Sequence, residues 1–200
     1  MRVRLGWSLF AVTVLLALAQ VVFLVLAEPP LFSLETLEEG FPLVTVGALA
    51  ASAIGALIVT RYPGHRIGWL FIIGQLGTLL GLTAQAYGAY ALTEGVGPAT
   101  AGHLAMWVSG HLGGTFALTL MALLLLLVPD GHLLSRRWSW AIGVTLLGLA
   151  LHVAGWLSVP PGEVTADGTD PETHQLAQVL VLLAVIAIFV GLIAGTTSLV

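Results

Sequence analysis

Six long apolar stretches separated by short loops decide what this chain can fold into. The stretches are Leu5–Ala27, Phe41–Thr60, Ile67–Leu92, Ala101–Val128, Ser139–Ser158 and His174–Ser198. A bilayer core about 30 Å thick needs about 20 apolar residues in a helix, so each stretch is predicted to cross a membrane once. The separating loops carry residues that end helices, such as Pro63-Gly64 and Pro160-Pro161-Gly162. We therefore predict an all-α integral membrane bundle of six transmembrane helices that covers residues 1–200.

Composition agrees with lipid as the main solvent, because 58% of the residues are hydrophobic and only 8% are charged. The chain contains no cysteine, which excludes disulfides, zinc–thiolate sites and thiol catalysis. Its net charge of −4 gives no basic surface for nucleic acid, so no nucleic-acid partner is expected.

The charged residues predict how the spans are oriented. If the loops alternate across the membrane, every arginine falls on one side: Arg2, Arg4, Arg61, Arg66, Arg136 and Arg137. Asp130 joins them, and the other nine acidic residues fall on the opposite side. Cytoplasmic loops carry the arginine excess, so both termini are predicted to be cytoplasmic. Arginine in place of lysine, with much Ala, Gly, Leu and Val, indicates a bacterial source, so the predicted location is the bacterial inner membrane. The first stretch also resembles a signal peptide, but it is longer than the usual apolar region of about 7 to 15 residues, which favours a retained helix.

Five polar residues inside the spans are candidates for an intramembrane ligand site: Gln75, Gln85, His103, His111 and His152. His111 and His152, on neighbouring helices, would be able to ligate a haem or a metal. The two glutamines, with Tyr87 and Tyr90, would be able to line a small ligand cavity together with His103 and His111. Hydrogen bonding within the bundle explains the same residues. No metal, cofactor or catalytic residue is assigned from the sequence, because no phosphate-binding, metalloprotease or nucleophile motif occurs.

Glycines at four-residue spacing predict close helix packing, at Gly77 and Gly81, at Gly110 and Gly114, and at Gly191 and Gly195. The interpretation that we favour is packing within one bundle. The spans hold no charged residue away from their ends, which counts against an ion-coupled transporter.

Two segments carry more information than apolar character alone. PGHRIGWLF at 63–71 and LLLLLVPDGHLLSRRWSWA at 123–141 lie beside the predicted inner ends of spans. They resemble the multi-span N-terminal membrane region of sensor histidine kinases from actinobacteria and related lineages. The matching residues are Pro63, Gly64, Ile67, Gly68, Trp69, Leu70, Pro129, Asp130, Gly131, Leu133, Ser135, Arg136, Arg137 and Trp138. The chain departs from the pattern at His65, Arg66, His132 and Leu134.

This resemblance implies a noncatalytic input module of a two-component system. Such a module relays a signal through its last helix to a cytoplasmic kinase, which uses ATP and magnesium and phosphorylates a response regulator. The resemblance also implies a homodimer, and it leads us to expect that the chain is a fragment truncated before the kinase region. Two alternatives stay open: a stand-alone small transporter or scaffold, and a haem-binding redox subunit.

The same segments predict a structural contact. Asp130 is the one acidic residue on the predicted inner side, so an ion pair with Arg61, Arg66, Arg136 or Arg137 would join two inner loops.

Overall fold

The computed structural model describes residues 2–27, 36–37, 40–127, 135–166, 169 and 173–198. Seven helices of at least 14 residues lie in these ranges: α1 Arg2–Leu26, α2 Leu43–Arg61, α3 Arg66–Thr93, α4 Ala99–Leu112, α5 Gly114–Leu127, α6 Ser139–Leu157 and α7 Gln175–Ser198. Two single 3₁₀ turns, Arg136–Trp138 and Pro161–Glu163, flank α6. The prediction of an all-helical chain is confirmed for the described residues.

Six spans long and apolar enough to cross a membrane are present, as predicted. The fourth span, Ala99–Leu127, differs from the uninterrupted stretch that we expected, because it consists of α4 and α5 with a break at Gly113. Gly113 has extended backbone, with ψ of −156°, so the helix cannot continue through it. Each half is 14 residues or about 21 Å long, so the break lies near the middle of the span.

The helices form two groups that meet at α3. In the first group, α1, α2 and α3 pack against one another. In the second group, α7 packs along α6 and also contacts α5, while the start of α4 packs on the turn Pro161–Glu163. Helix α3 joins the groups because it contacts both α4 and α5.

All six arginines lie at one end of the bundle, which we call the arginine end. Trp7 near the start of α1 donates a hydrogen bond of 3.0 Å from Nε1 to Oγ1 of Thr60 near the end of α2. Leu126 near the end of α5 packs with Ala141 near the start of α6 and Ala194 near the end of α7. The helix ends that carry the arginines therefore meet, and Glu94 and Glu163 lie at the opposite end.

Much of the surface of the bundle is apolar. Large aliphatic side chains face outward, and Leu43 is 76% exposed. Buried positions include many small polar groups, such as Thr13, Thr78 and Thr145. In the first group the hydroxyl of Thr45 donates to Oε1 of the buried Gln20 at 2.8 Å. This distribution suits lipid as the surrounding solvent, where polar groups are stabilised by bonding to other parts of the bundle.

Glycines let the helices approach closely, and most of the predicted pairs pack within the chain. A Cβ added at Gly81 would lie 2.7 Å from the carbonyl oxygen of Leu112, and one at Gly77 would lie 2.8 Å from the Phe116 ring. On α7, Gly191 faces Thr145 and Gly195 faces Leu125. The two glycines of the remaining pair have different surroundings. Gly110 packs on Trp156, whereas Gly114 has no described neighbour within 4 Å of an added Cβ.

Candidate functional site

The break at Gly113 leaves backbone groups without helical partners inside the span. The last carbonyl groups of α4 have no N–H donor within that helix, and the first N–H groups of α5 have no carbonyl acceptor within theirs. At the start of α5, the N–H of Ala117 donates a hydrogen bond of 3.2 Å to the carbonyl of Gly113, the residue at the break. Non-helical backbone at membrane depth is tolerated where it is buried in protein or lines a cavity. Here it does line a cavity.

That cavity has a volume of about 470 Å³ and lies between the two halves of the fourth span and helices α3, α6 and α7. Its lining residues are Gln85, Met106, Ser109, Gly110, Gly113, Gly114, Thr115, His152, Trp156, Val164, Ala166 and Val181. None of these side chains carries a fixed charge. A volume of this size is in the range that small-molecule sites occupy, with apolar walls and a few polar groups.

His152 is the most deeply buried polar side chain of the cavity, with 2% of its surface exposed. Its Nε2 lies 3.0 Å from the carbonyl oxygen of Gly110, one of the groups released by the break in the span. Its Nδ1 is buried and has no hydrogen-bond partner among the described residues. His152 is therefore held by Nε2, while its Nδ1 is enclosed within the bundle.

His111 and His103 have structural contacts and do not line the cavity. Nδ1 of His111 lies 2.9 Å from the carbonyl of Trp107, and its ring packs on the Trp107 indole with 4.2 Å between centroids. The His111 Nε2 is buried and lacks a partner in the described ranges. Nδ1 of His103 donates to the carbonyl of Val164 at 2.6 Å, which ties α4 to the loop after α6. Our sequence reasoning grouped the three histidines, whereas only His152 reaches the cavity.

Trp107 also forms hydrogen bonds that link α4 to the end of α6. Its Nε1–H lies 2.9 Å from the carbonyl oxygen of Val159 and 3.1 Å from that of Trp156. Met106, Val159 and Val164 form a buried cluster around these bonds. Side chains of α4 therefore fasten this helix to the end of α6, close to the cavity.

The two candidate glutamines have different surroundings, although both lie on α3. Gln85 lines the cavity, and Gln75, which lies ten residues earlier and about 15 Å away along the helix, does not. Tyr87 and Tyr90 turn toward α1, where their rings lie 5.2 and 6.1 Å from the ring of Phe23. One of the two glutamines is thus placed to bind a ligand.

A second, almost wholly apolar groove of about 340 Å³ adjoins the cavity. It is lined by Gly155, Trp156, Val159, Thr169, Ala177, Gln178, Val181, Leu182 and Val185. Trp156 and Val181 line both spaces, so they separate the cavity from the groove. Ser109 and Thr115 did not stand out in the sequence, because such residues are common in membrane helices.

The first motif segment closes the turn between α2 and α3. Nε1 of Trp69 donates to the carbonyl of Pro63 at 3.0 Å, which bridges the loop and the first turn of α3. Ile67 is buried, and a Cβ added at Gly68 would lie 2.9 Å from Ile58, so Gly68 allows α2 to approach α3. Gly64 has no described neighbour within 4 Å of an added Cβ. These contacts give the segment a structural role at the arginine end.

Replacing Trp69 with Phe is expected to lower the free energy of unfolding by about 0.5–1.5 kcal/mol, because the bond to Pro63 is lost while most of the ring packing stays. Reversible unfolding in mixed micelles would measure the change. Trp140→Phe is the matched control, since Trp140 is half exposed at the same end of the bundle. An equal effect of both substitutions would show that the bond contributes nothing.

The second motif segment starts α6. Oγ of Ser135 accepts a hydrogen bond of 3.3 Å from the N–H of Arg137, which caps the turn Arg136–Trp138. Trp138 packs on the cluster of Leu126, Ala141 and Ala194, and the Arg137 guanidinium lies 5.5 Å from its ring centroid. Pro129, Asp130 and Gly131 lie outside the described residues, and so does the ion pair that we predicted for Asp130.

Several hydrogen-bonding side chains surround the cavity. Within the described ranges, no group of three or more His, Cys, Asp or Glu residues is placed to hold a metal ion. The residues that line the cavity include the amide side chain of Gln85, the hydroxyl side chains of Ser109 and Thr115, and the aromatic ring of Trp156. These groups suit an uncharged ligand that makes a few directed hydrogen bonds.

No protein family, curated protein or solved structure significantly matches this chain.

Proposed function

We propose that the chain is the transmembrane input module of a bacterial sensor histidine kinase, located in the cytoplasmic membrane. The observation that carries the proposal is that the last helix, α7, lines the cavity through Val181 and also reaches the arginine end. A ligand in the cavity would act directly on the helix that leads to the cytoplasm. The resemblance of the two motif segments supports the same assignment.

Helix α7 is suited to transmit a displacement over the depth of the bundle. Val181 at the cavity and Gly195 at the arginine end lie 14 residues apart, which is about 21 Å along the helix. Between them α7 packs tightly on α6, where a Cβ added at Gly148 would lie 2.9 Å from the carbonyl of Ala184. Closely packed helices shift as rigid units, so movement near Val181 would be felt at Gly195.

A ligand signals only if its affinity differs between two arrangements of the helices. The broken fourth span provides the adjustable part in this proposal, because α4 and α5 are joined through the extended residue Gly113. One arrangement would keep His152 bonded to Gly110, and the other would move α4 relative to α6. The remaining partners that we propose are a second copy of the chain, the surrounding lipid and, for the kinase, ATP, magnesium and a response regulator.

The natural gene product in native membrane vesicles tests the proposal. We expect ATP-dependent autophosphorylation, and an in-frame segment after residue 200 that begins with arginines and continues into an amphipathic helix. Gly155→Ala should change the phosphorylation rate at least about threefold, because an added Cβ would lie 3.0 Å from both the Ala177 carbonyl and Val181. Gly143→Ala is the control on the same helix, with no described neighbour within 4 Å. A gene product without a kinase region and without phosphoryl incorporation would overturn the proposal.

The helix break favours a small transporter as the second candidate function. Transporters place substrate sites at the free ends of interrupted helices near the middle of the membrane, and Gly113 divides the fourth span in this way. Saturable solute uptake into proteoliposomes that contain only this chain would support a transporter over an input module.

A further inference from the structure

Two histidines hold the turn Pro161–Glu163, at the end of the bundle opposite to the arginines. Nε2 of His174, just before α7, lies 3.0 Å from Oε2 of Glu163. Nδ1 of His103 on α4 lies 2.6 Å from the carbonyl oxygen of Val164, the residue after Glu163. The turn that follows α6 is therefore fastened to α4 by one imidazole and to the start of α7 by the other.

The contact between Glu163 and His174 lies at the edge of an apolar cluster and is open to solvent on one side. Val164 is 1% exposed and packs in this cluster with Ala177, which lies three residues after His174. The side chain of His174 is 10% exposed, whereas that of Glu163 is 52% exposed. Protons from the aqueous phase therefore reach the pair, while the imidazole stays largely enclosed.

Glu163 is the carboxylate that the described contacts place against His174. The titratable residues of the helices that pack here are His103 and His111 on α4 and His152 on α6, whereas α5 and α7 contain none. All three of these imidazoles lie beside backbone carbonyls. Glu94 at the end of α3 lies at the same end of the bundle and has no described contact with His174. Asp167, Asp170 and Glu172, in the loop before α7, lie outside the described residues.

The strength of this contact depends on the charge of the imidazole. Histidine changes charge between about pH 5 and 8, and a protonated ring donates a charge-assisted hydrogen bond to a carboxylate. A neutral ring in the same position lacks the ionic part of the attraction. The contact is therefore strongest on the acidic side of this range and weakens as the pH rises.

The backbone of His174 couples its side chain to the last helix. The carbonyl of His174 accepts a hydrogen bond of 3.1 Å from the N–H of Gln178, in the first turn of α7. A displacement of the imidazole from Glu163 therefore acts on the residue from which α7 starts. The same helix reaches the arginine end through Ala194.

We propose that Glu163 and His174 form a proton-sensitive latch, which holds the start of α7 on the turn Pro161–Glu163 at acidic pH and releases it as the pH rises. The proposal rests on the proposed function, because it adds protons outside the cytoplasm as a stimulus of the same input module. Glu163 is half exposed, so the latch shifts a balance between two positions of α7 and does not lock either of them.

The distance between two spin labels, measured by electron paramagnetic resonance in lipid nanodiscs, tests the latch. The chain has no cysteine, so labels attach only at Gly162→Cys and Leu176→Cys. Both positions are exposed, and an added Cβ at Gly162 has no described neighbour within 4 Å. We expect a shorter and a longer distance, whose population ratio changes at least about threefold between about pH 5 and 8, with the shorter distance favoured at acidic pH.

Neutral replacements of similar shape identify the titrating pair. Glu163→Gln and His174→Gln should each abolish the change of the population ratio with pH. His103→Gln and Glu94→Gln are the matched controls at the same end of the bundle, and both should keep it. The joint replacement Asp167→Asn, Asp170→Asn and Glu172→Gln should also keep it.

A population ratio that stays constant between about pH 5 and 8, with Glu163 and His174 both intact, would overturn the proposal. A response that persists in Glu163→Gln or His174→Gln would also overturn it, and so would a response that is lost in any of the controls. The pH series on the labelled chain needs no change at the pair, so a variant that fails to fold does not affect it. The distances are measured on this chain without any kinase, and phosphorylation is measured at constant pH, so failure of the latch and failure of the input-module proposal are distinguishable.

Discussion

Gly148→Val is expected to lower the free energy of unfolding by about 1–3 kcal/mol, whereas Gly143→Val on the same helix should change it by less than about 0.5 kcal/mol. A Cβ at position 148 would lie 2.8 Å from Ile188 and 2.9 Å from the carbonyl oxygen of Ala184. The carbonyl belongs to the backbone of α7, so relief requires the two helices to separate. Reversible unfolding in mixed micelles measures the difference.

Position 143 makes the comparison specific. An added Cβ there has no described neighbour within 4 Å, and the residue is exposed. Both substitutions change glycine to valine within α6, so effects on helix propensity cancel to first order. Equal destabilisation by the two variants would contradict the close approach of α6 and α7.

Gly110→Ala should lower the free energy of unfolding by about 1–3 kcal/mol and disturb the cavity, because the new methyl group would overlap the Trp156 indole. The indole is rigid and forms the wall between the cavity and the apolar groove. Moving it would also strain the bonds from Trp107 to the carbonyls of Trp156 and Val159. Reversible unfolding in mixed micelles would measure the change.

Gly114→Ala is the control for this prediction, since it belongs to the same four-residue pair in the sequence. An added Cβ at Gly114 meets no described atom within 4 Å, so the variant should unfold like the unmodified chain. Equal free energies of unfolding for the two alanine variants would show that the close contact of Gly110 with Trp156 does not affect stability.

The six spans were predictable because a bilayer requires a minimum length of apolar helix, and length is read directly from the sequence. The break at Gly113 was not predictable by this argument. The stretch around it is apolar on both sides, and glycine is common in continuous membrane helices. The packing role of Gly77, Gly81, Gly191 and Gly195 followed from their spacing, but the spacing of Gly110 and Gly114 was misleading.

The residues of the candidate site were also predictable only in part from the sequence. Gln75 and Gln85 are identical in type and lie on one helix, yet only one lines the cavity, because this depends on where α4, α6 and α7 pack. His103, His111 and His152 are each polar within an apolar span, but backbone carbonyls of other residues determine which nitrogen is free. Every residue has a backbone carbonyl, so the sequence does not show which carbonyl will lie beside a given histidine.

By itself, the sequence determined that this protein is a helical bundle with six spans and that its arginines collect at one end, since both follow from the order of apolar and charged residues along the chain. Only the tertiary structure decided that the fourth span breaks at Gly113 and that His152, Gln85 and Trp156 meet around the released backbone groups. The physical reason is that hydropathy is a property of each segment, whereas a cavity and the hydrogen bonds beside it arise from how separate helices pack.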